Sequence, residues 1–492
     1  MPEEVVTALL GTAAAVPIGL RWLRVAQREH YLPGSVVRFW GRWVKAEAPY
    51  FVALIVVAAA FRETWLMVLL AAVFPFGLSP VGRTSKLAWT PRLRRLAAVT
   101  GTLWLASVVW GLAVGSVWIT ALPTLLLPLL VDIALLGLAP VERTLGNPWV
   151  AKAERRLSQV APRVIAITGS YGKTSTKVYL THLLGISHSV VATPASFNNR
   201  MGIAKAINEH LVNGTEFFVV EMGTYGAGEI ADLCSWIKPE VAVITAVAPV
   251  HLERMGTIEA VVAAKREILE NVEIAVLNVG DSRLAEVAGD EQRRRKVVRC
   301  ATTGEADVLV DETGAVLVNG VAVGRVEPET IFLSNLACAV GATLAAGLNA
   351  DQISGRLISL PIVEHRQSIE KSERGFTIID DTFNSHPAGA ALALQRLPGF
   401  GGKKVAVTPG MIELGSEQVG ANESFGEDAA NAADVVVIVG RTNRSALSKG
   451  AARGRASVMV VRTREAAAAW VRENLGPGDT VLYENDLPDH YP

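Results

Sequence analysis

The sequence predicts an α/β protein in three parts. An N-terminal, multi-span α-helical membrane domain (residues 1–150) precedes a parallel-sheet domain that opens on a P-loop (151–362), and a smaller Rossmann-like domain follows (363–492). Three observations carry this reading. Residues 1–150 are mostly apolar, rich in Leu, Val, Ala and Trp, whereas 151–492 have the mixed composition of a water-soluble chain. Residues 164–175 read as an apolar strand running into a glycine-punctuated turn. From Arg163 onward, β-rich runs alternate with amphipathic helical patterns, the signature of a largely parallel sheet covered on both faces. Lys plus Arg and Asp plus Glu both number 47, so no net charge argues for a nucleic-acid partner. Cys234, Cys300 and Cys338 form no CxxC pair, which argues against a zinc ribbon or disulfide framework and fits a reducing cytoplasm.

Five apolar stretches lie at about 4–20, 49–61, 64–79, 96–115 and 117–140. A bilayer core needs about 20 helical residues, so the second and third must recruit their flanks. Arg62-Glu63 between them suits a turn better than a bilayer midpoint; one long helix from Pro49 to Leu78 is the alternative. Basic residues crowd the first connection (Arg21, Arg24, Arg28, Arg38, Arg42, Lys45), the third (Arg83, Lys86, Arg92, Arg94, Arg95) and the segment after the last span (Arg143, Lys152, Arg155, Arg156). The positive-inside rule wants all three in the cytoplasm. Five spans with the N-terminus outside satisfy it; four would leave one basic loop outside. A cleaved signal peptide would explain the first stretch alone. The expectation is a multi-pass protein of the inner (cytoplasmic) membrane, with the lipid bilayer as partner and the other two domains in the cytoplasm.

Strands are expected at 163–168, 188–193, 216–222, 241–247 and 274–279, then a β-hairpin excursion over 306–326 and helices at 333–348 and 350–359. A second α/β series begins near His365, with strands at 376–381, 403–408, 434–440, 457–463 and 480–484.

The first expected strand, 163–168, delivers Thr168-Gly169-Ser170-Tyr171-Gly172-Lys173-Thr174-Ser175. Glycines let backbone N–H groups close on phosphates, and the following helix points its positive end at them. Lys173 would reach the β- and γ-phosphates and the Thr174 hydroxyl would hold Mg²⁺, so the turn points to ATP. The full P-loop pattern wants glycine where Ile167 stands. Glu221 ends the apolar run Phe-Phe-Val-Val and suits a second protein ligand for Mg²⁺, since hard cations want oxygen. His251 also follows a strand, but alone it reads as an ordinary loop residue. Lys265, in Ala-Ala-Lys-Arg-Glu, reads alone as a solvated helix lysine. Asn384 and His386 read alone as an Asx-type turn before Pro387.

Together these stretches resemble the Mur ligase family, and within it the branch that adds D-alanyl-D-alanine. The resemblance runs from about Arg163 to near the C-terminus. It rests on the P-loop, Thr193-Pro-Ala-Ser196-Phe-Asn198-Asn199, Glu221-Met-Gly, Ala-Pro-Val-His251-Leu-Glu, Lys265, Ser334-Asn335-Leu-Ala, Asp380-Asp381-Thr-Phe-Asn384-Ser-His386-Pro387 and Met411-Ile-Glu413-Leu-Gly415. It implies ATP-dependent, ADP-forming amide bond formation through an acyl phosphate that an incoming amine attacks. It further implies that Lys173 steadies the transferred phosphate and that Thr174 and Glu221 hold one Mg²⁺. A second Mg²⁺ would lie on His251 and a carbamoylated Lys265. Asn335 would contact adenine, Arg366 and Asp381 the ribose or phosphates, and Ser196, Asn198, Asn199, Asn384 and His386 would line the substrate side.

Three features depart from the family pattern. The N-terminal domain that holds a UDP-sugar has no counterpart, because residues 1–150 are apolar spans. Ala246 and His386 stand where the family shows Asn. The segment Tyr483-Glu484-Asn485-Asp486-Leu487-Pro488-Asp489 replaces one of Lys-Gly-Ser type. The reading is therefore a membrane-bound, Mur-type ligase of cell-wall or envelope (peptidoglycan) biosynthesis. Its substrates would be an envelope precursor and an amino acid or dipeptide, with other envelope-synthesis proteins as candidate partners. The alternatives are a poly-γ-glutamate-type ligase, a transport ATPase, or a non-catalytic membrane scaffold. A Leu-Ser-Gly-Gly-Gln type signature is absent, which speaks against the transporter. Retention of Lys173, Glu221, His251 and Lys265 speaks against the scaffold.

Overall fold

The computed structural model describes residues 1–50, 52, 53, 56, 64–82, 86–194, 197–328, 331–363, 368–382 and 385–492. The chain divides into two compact units. One comprises Met1–Leu145 with Gly440–Arg444 and Asp486–Pro492, and the other Gly146–Val439 with Ser445–Asn485.

The first unit is helical: Glu3–Arg28, Ser35–Ala46, Thr64–Val73, Pro91–Ala113, Val117–Leu125 and the first part of Leu127–Val160. Of the five expected spans, Glu3–Arg28 and Pro91–Ala113 are long and apolar enough to cross a bilayer. The expected fifth span is broken: Val117–Leu125 and Leu127–Val160 meet at 68° and would count as a third crossing only if taken as one bent span. The third stretch yields the ten-residue helix Thr64–Val73, which stops before Pro75 and excludes a continuous helix to Leu78. The second, with Arg62-Glu63, falls largely outside the described residues.

Polar side chains inside this unit satisfy backbone groups that would otherwise be stranded. Arg21 donates to the carbonyls of Ala72 (2.5 Å) and Leu78 (3.1 Å). Asp132 accepts from the N–H groups of Gly34 (3.0 Å) and Val37 (2.7 Å), capping the helix Ser35–Ala46 from a distance in sequence. The C-terminal residues belong here too. Asp489 pairs with Arg24, Trp43 Nε1 donates to the His490 carbonyl at 3.0 Å, and His490 lies 3.0 Å from Glu29. The helical unit is thus not confined to residues 1–150, because the segment Asp486–Pro492 is built into it.

The second unit holds two sheets. The first has nine strands: β1 Arg163–Thr168, β2 Val190–Ala192, β3 Phe217–Glu221, β4 Val241–Ile244, β5 Ile274–Asn278, β6 Lys296–Ala301, β7 Val308–Val310, β8 Ala315–Val318 and β9 Val321–Arg325. Their order is β2-β3-β1-β4-β5-β6-β7-β8-β9. Pairing is parallel from β2 to β7 and antiparallel over β7–β9, the expected hairpin excursion. β6 was not expected; its run Lys-Val-Val-Arg-Cys-Ala is interrupted by charge and lacks a clean period. Strands β1 and β3 are almost wholly buried, with Ala166, Phe218 and Val220 packing on one face and Ile165, Ile167 and Val219 on the other. This two-sided burial explains their continuous apolar sequence.

The second sheet comprises β10 Ser368–Lys371, β11 Thr377–Asp381, β12 Lys404–Thr408, β13 Val435–Val439, β14 Ser457–Val461 and β15 Thr480–Glu484, in the order β10-β11-β15-β12-β13-β14. All pairs are parallel except β10–β11. β10 is short, polar and on the edge, so it lacks the apolar run by which its neighbours are recognised. In both sheets the central parallel strands end on the same kind of feature, a turn into a helix, where open α/β sheets place their ligands.

Candidate active site

β1 and β3 lie side by side with Ile167 opposite Glu221, so one strand ends in the P-loop and its neighbour in a carboxylate. The loop between Thr168 and Lys173 is braced from β4's exit. Ser170 N–H donates to the Ala246 carbonyl (2.9 Å), Ser170 Oγ accepts from Ala248 N–H (2.9 Å), and Thr245 Oγ1 donates to the Tyr171 carbonyl. Thr168 Oγ1 donates to the Met222 carbonyl at 2.9 Å, tying the loop's start to the segment after Glu221. Gly172, at φ +82°, precedes the helix Lys173–Leu184. A Cβ at this position would run into Asn335 Oδ1, so the loop and the buried Asn335 touch only because the residue is glycine.

Glu221 is the hub. Its Oε2 accepts from Thr174 Oγ1 at 3.0 Å and pairs with Lys177 Nζ at 3.2 Å, while Oε1 accepts from Asn198 Nδ2 at 3.2 Å. Burial works to raise its pKa, but the ammonium groups of Lys173 and Lys177 and these hydrogen bonds outweigh burial and hold it below the ordinary carboxylate value. Lys173 Nζ donates to the Gly169 carbonyl at 2.6 Å.

Lys265 departs most from its sequence reading. It is not a solvated helix lysine: it is 3% exposed, in the last turn of Ile258–Arg266. Burial, and then the nearby charge of Lys173, drive its pKa well below that of an ordinary lysine. Both causes disfavour the charged form of the amine, which lies within electrostatic reach of the P-loop lysine.

His251 occupies left-handed backbone at φ +58°. Its Nδ1 pairs with Glu413, and its ring packs edge-on against Tyr225 with centroids 5.2 Å apart. His386 is buried. Its ring stacks on Tyr171 with centroids 3.9 Å apart, and its Nδ1 accepts from Gly389 N–H at 3.1 Å, capping the helix Pro387–Arg396. Asn199 likewise caps the helix Arg200–His210, accepting from Gly202 N–H at 2.9 Å. Asp381 sits opposite Glu484 across β11 and β15. Burial, and then the Asp381 charge, push the Glu484 carboxyl well above the ordinary range. Ser196, Arg366 and Asn384 lie outside the described residues.

Sequence reasoning missed Lys177 and assigned no role to Glu413. Lys177 stands four residues after Lys173 on one helix, so both share a face; that spacing was the available signal. Glu413 carried no local signal, because its partner lies far away in sequence.

The structure offers two observations that fit a nucleotide and its metal. Asn335 Oδ1 and Ser175 Oγ are buried without a hydrogen-bond partner beside the phosphate loop, and such groups call for a ligand. Thr174 and Glu221 present two hard oxygens side by side, the donor set Mg²⁺ takes together with phosphate oxygens and water. Among the described residues no group of three or more His, Cys, Asp or Glu side chains is placed to hold a metal by itself.

A phosphate loop facing a strand-end carboxylate, followed by a second, mostly parallel sheet, defines a two-domain P-loop nucleotide-binding protein. The profile of the Mur ligase middle domain matches residues 167–322, and that of the Mur ligase glutamate ligase domain matches residues 365–483. The chain belongs to the Mur ligases, ATP-dependent and ADP-forming enzymes, and carries their middle and C-terminal domains. It is 28% identical to the UDP-N-acetylmuramoyl-tripeptide–D-alanyl-D-alanine ligase of Mycobacterium leprae over 367 residues, 65% of this chain and 70% of that one. Against the enzyme of the same name from Bacillus subtilis, identity is 28% over 352 residues, 68% of this chain and 75% of that one. The crystal structure of the MurF ligase from Thermotoga maritima in complex with ADP superposes with a TM-score of 0.58 at 27% identity, covering 69% of this chain and 80% of the other.

Proposed function

We propose that the protein is a membrane-anchored, ATP-dependent amide ligase that extends a cell-wall precursor at the cytoplasmic face of the membrane. The observation that carries the chemistry is the Thr174–Glu221 oxygen pair at the mouth of the phosphate loop, flanked by the charges of Lys173 and Lys177. This is a site for a triphosphate and Mg²⁺ rather than a neutral ligand. There is little covalent work for the protein in phosphoryl transfer, so positioning and charge neutralisation carry it. Lys173 would leave the Gly169 carbonyl to bear on the transferred phosphoryl group. Thr174 and Glu221 would hold one Mg²⁺, which neutralises phosphate charge when bound. His251 and Lys265 would hold a second, with Lys265 first becoming a carbamate; a neutral, buried amine is the form that reacts with CO₂. An acceptor carboxylate thus becomes an acyl phosphate, and the amine of an incoming amino acid or dipeptide displaces phosphate.

By analogy with the D-alanyl-D-alanine-adding relatives, the acceptor class is a muramoyl peptide. The UDP-binding part of those enzymes is replaced here by residues 1–150, which favours an acceptor held at the membrane. Anchoring is supported by the helices Glu3–Arg28 and Pro91–Ala113 and by adjacent exposed apolar side chains such as Leu105, Val109 and Trp110. The division 1–150, 151–362 and 363–492 is retained as the functional plan.

The test is ADP release by the full chain in lipid nanodiscs, screened with UDP-linked and lipid-linked muramoyl peptides against amino acids and D-alanyl-D-alanine. Release that requires both an acceptor and an amine, and is lost in Lys173→Ala, is expected. Release unaffected by Lys173→Ala would overturn the assignment.

A further inference from the structure

The turn Met411–Gly415, which follows β12 of the second sheet, lies against the short helix Leu252–Met255, which follows β4 of the first. Gly415 sits at φ +58°, and a Cβ there would stand 3.1 Å from Leu252 Cβ, so the two backbones approach closely. Across this seam Glu413 reaches two partners. One carboxylate oxygen pairs with His251 Nδ1 and the other accepts from Arg254 Nη2 at 3.4 Å. Arg254 in turn lies 4.7 Å over the Tyr225 ring, which packs on His251. His251 (φ +58°) and Glu413 (φ +64°) both hold left-handed backbone, a conformation that residues with a Cβ rarely adopt. Two strained residues joined through their side chains are held that way by everything around them, and such strain collects where function needs a fixed geometry.

A carboxylate on Nδ1 requires the ring hydrogen there, so in the neutral ring Nε2 is the nitrogen with a bare lone pair. With Arg254 on its other oxygen, the carboxylate cannot turn away from the ring. We infer that Glu413 is a positioning residue. It sets the His251 tautomer that leaves Nε2 to bind a divalent cation, and it does so only while the Met411–Gly415 turn of the second sheet is docked. Metal-binding histidines commonly donate their other ring N–H to a carboxylate, and loss of that partner weakens metal affinity about 10–100-fold. The inference rests on the reading of His251 as a metal ligand and adds to it a condition: docking of the second sheet completes the ligand.

The experiment is a titration of the full chain in nanodiscs with Mn²⁺ in the presence of ADP, with free Mn²⁺ read by electron paramagnetic resonance. Two bound Mn²⁺ per chain are expected in the wild type. Glu413→Ala and His251→Ala should each weaken one site by about 10–100-fold and spare the other, and the double variant should lose no more than either. Glu413→Gln, which keeps an accepting oxygen, should lose less than Glu413→Ala. In ¹⁵N-histidine spectra the His251 signal should leave the bare-Nε2 tautomer in Glu413→Ala and keep it in Glu413→Gln. If Glu413→Ala holds both sites at wild-type affinity while His251→Ala loses one, the positioning role is overturned and the metal reading stands. If His251→Ala keeps both sites, the metal reading falls and this inference with it.

Discussion

Replacing Glu221 by Gln isolates the charge on which the site is organised. Glu221 and Lys177 side chains are 2% and 5% exposed and 3.2 Å apart, so neither ion has water to fall back on. The amide preserves the shape of the carboxylate but removes its charge from beside a buried ammonium. Breaking one side of a buried pair costs about 3–5 kcal/mol. The amide oxygen still accepts one hydrogen bond, so the lower end, about 3 kcal/mol, is expected. For a domain of about 150–250 residues each kcal/mol moves Tm by about 2–4 °C, giving a fall of about 6–12 °C. Differential scanning fluorimetry of the full chain at neutral pH reads this directly. Adding Lys177→Met should recover most of the loss without restoring ADP release, because the stranded charge is gone while the metal oxygen is still missing. The pH dependence has a defined sign. The folded-state pKa of Glu221 is depressed, so its stabilisation is complete above the ordinary carboxylate value of about 4.3 and is lost as pH falls through the lower folded value. Glu221→Gln should lack that acid limb. An unchanged Tm in Glu221→Gln, or a further fall on adding Lys177→Met, would refute the reasoning.

The remaining predictions concern the loop, the buried lysine and the topology. Gly172→Ala should abolish ATP turnover and binding of a fluorescent ATP analogue, because φ +82° and the Asn335 side chain both exclude a Cβ. Lys265→Ala should lose most activity and recover part of it with formate or acetate, which returns an oxygen ligand; Lys265→Arg should stay inactive, since guanidinium forms no carbamate. In CO₂-free buffer Lys265 holds its proton less tightly in the folded chain than in the unfolded one. Wild-type stability should therefore rise with pH toward about 10.4, and Lys265→Met should be more stable at neutral pH and lack that rise. Cysteines placed at Lys45 or Arg92 should resist impermeant reagents applied to intact cells while one at Met1 reacts; labelling at Arg92 from outside would overturn the proposed cytoplasmic placement of the basic loops.

What the sequence made legible was whatever lies at the end of a buried parallel strand. The P-loop and Glu221 could be placed because a continuous apolar run followed by glycine or a lone carboxylate has few other meanings. Lys177 escaped, and Lys265 was marked only by the family resemblance, because a lysine on an amphipathic helix looks solvated until the neighbouring element is known; only tertiary packing buries it. The partnership of Glu413 with His251 joins turns far apart in the chain, so no spacing rule could reveal it. β6 and β10 were passed over because charge and brevity erased their period. The apolar third was read by length and hydropathy, which register neither the 68° break after Leu125 nor the C-terminal segment folded into the helical unit.

The strand order of the second sheet bears on how the protein is made. β15 lies between β11 and β12, although both are synthesised before it. Until Thr480–Glu484 leaves the ribosome, the sheet exists as two unjoined pieces whose inner edges present open backbone groups. The first sheet takes no strand beyond β9, and once the helix Leu333–Ala345 has packed on it it can settle while synthesis continues, since domains fold as units from the N-terminus. A chain broken off before its last strand would therefore carry a finished nucleotide fold beside an open sheet with two hydrophobic edges. Such edges invite pairing with other chains, so a product truncated before Thr480 should aggregate where the full chain does not.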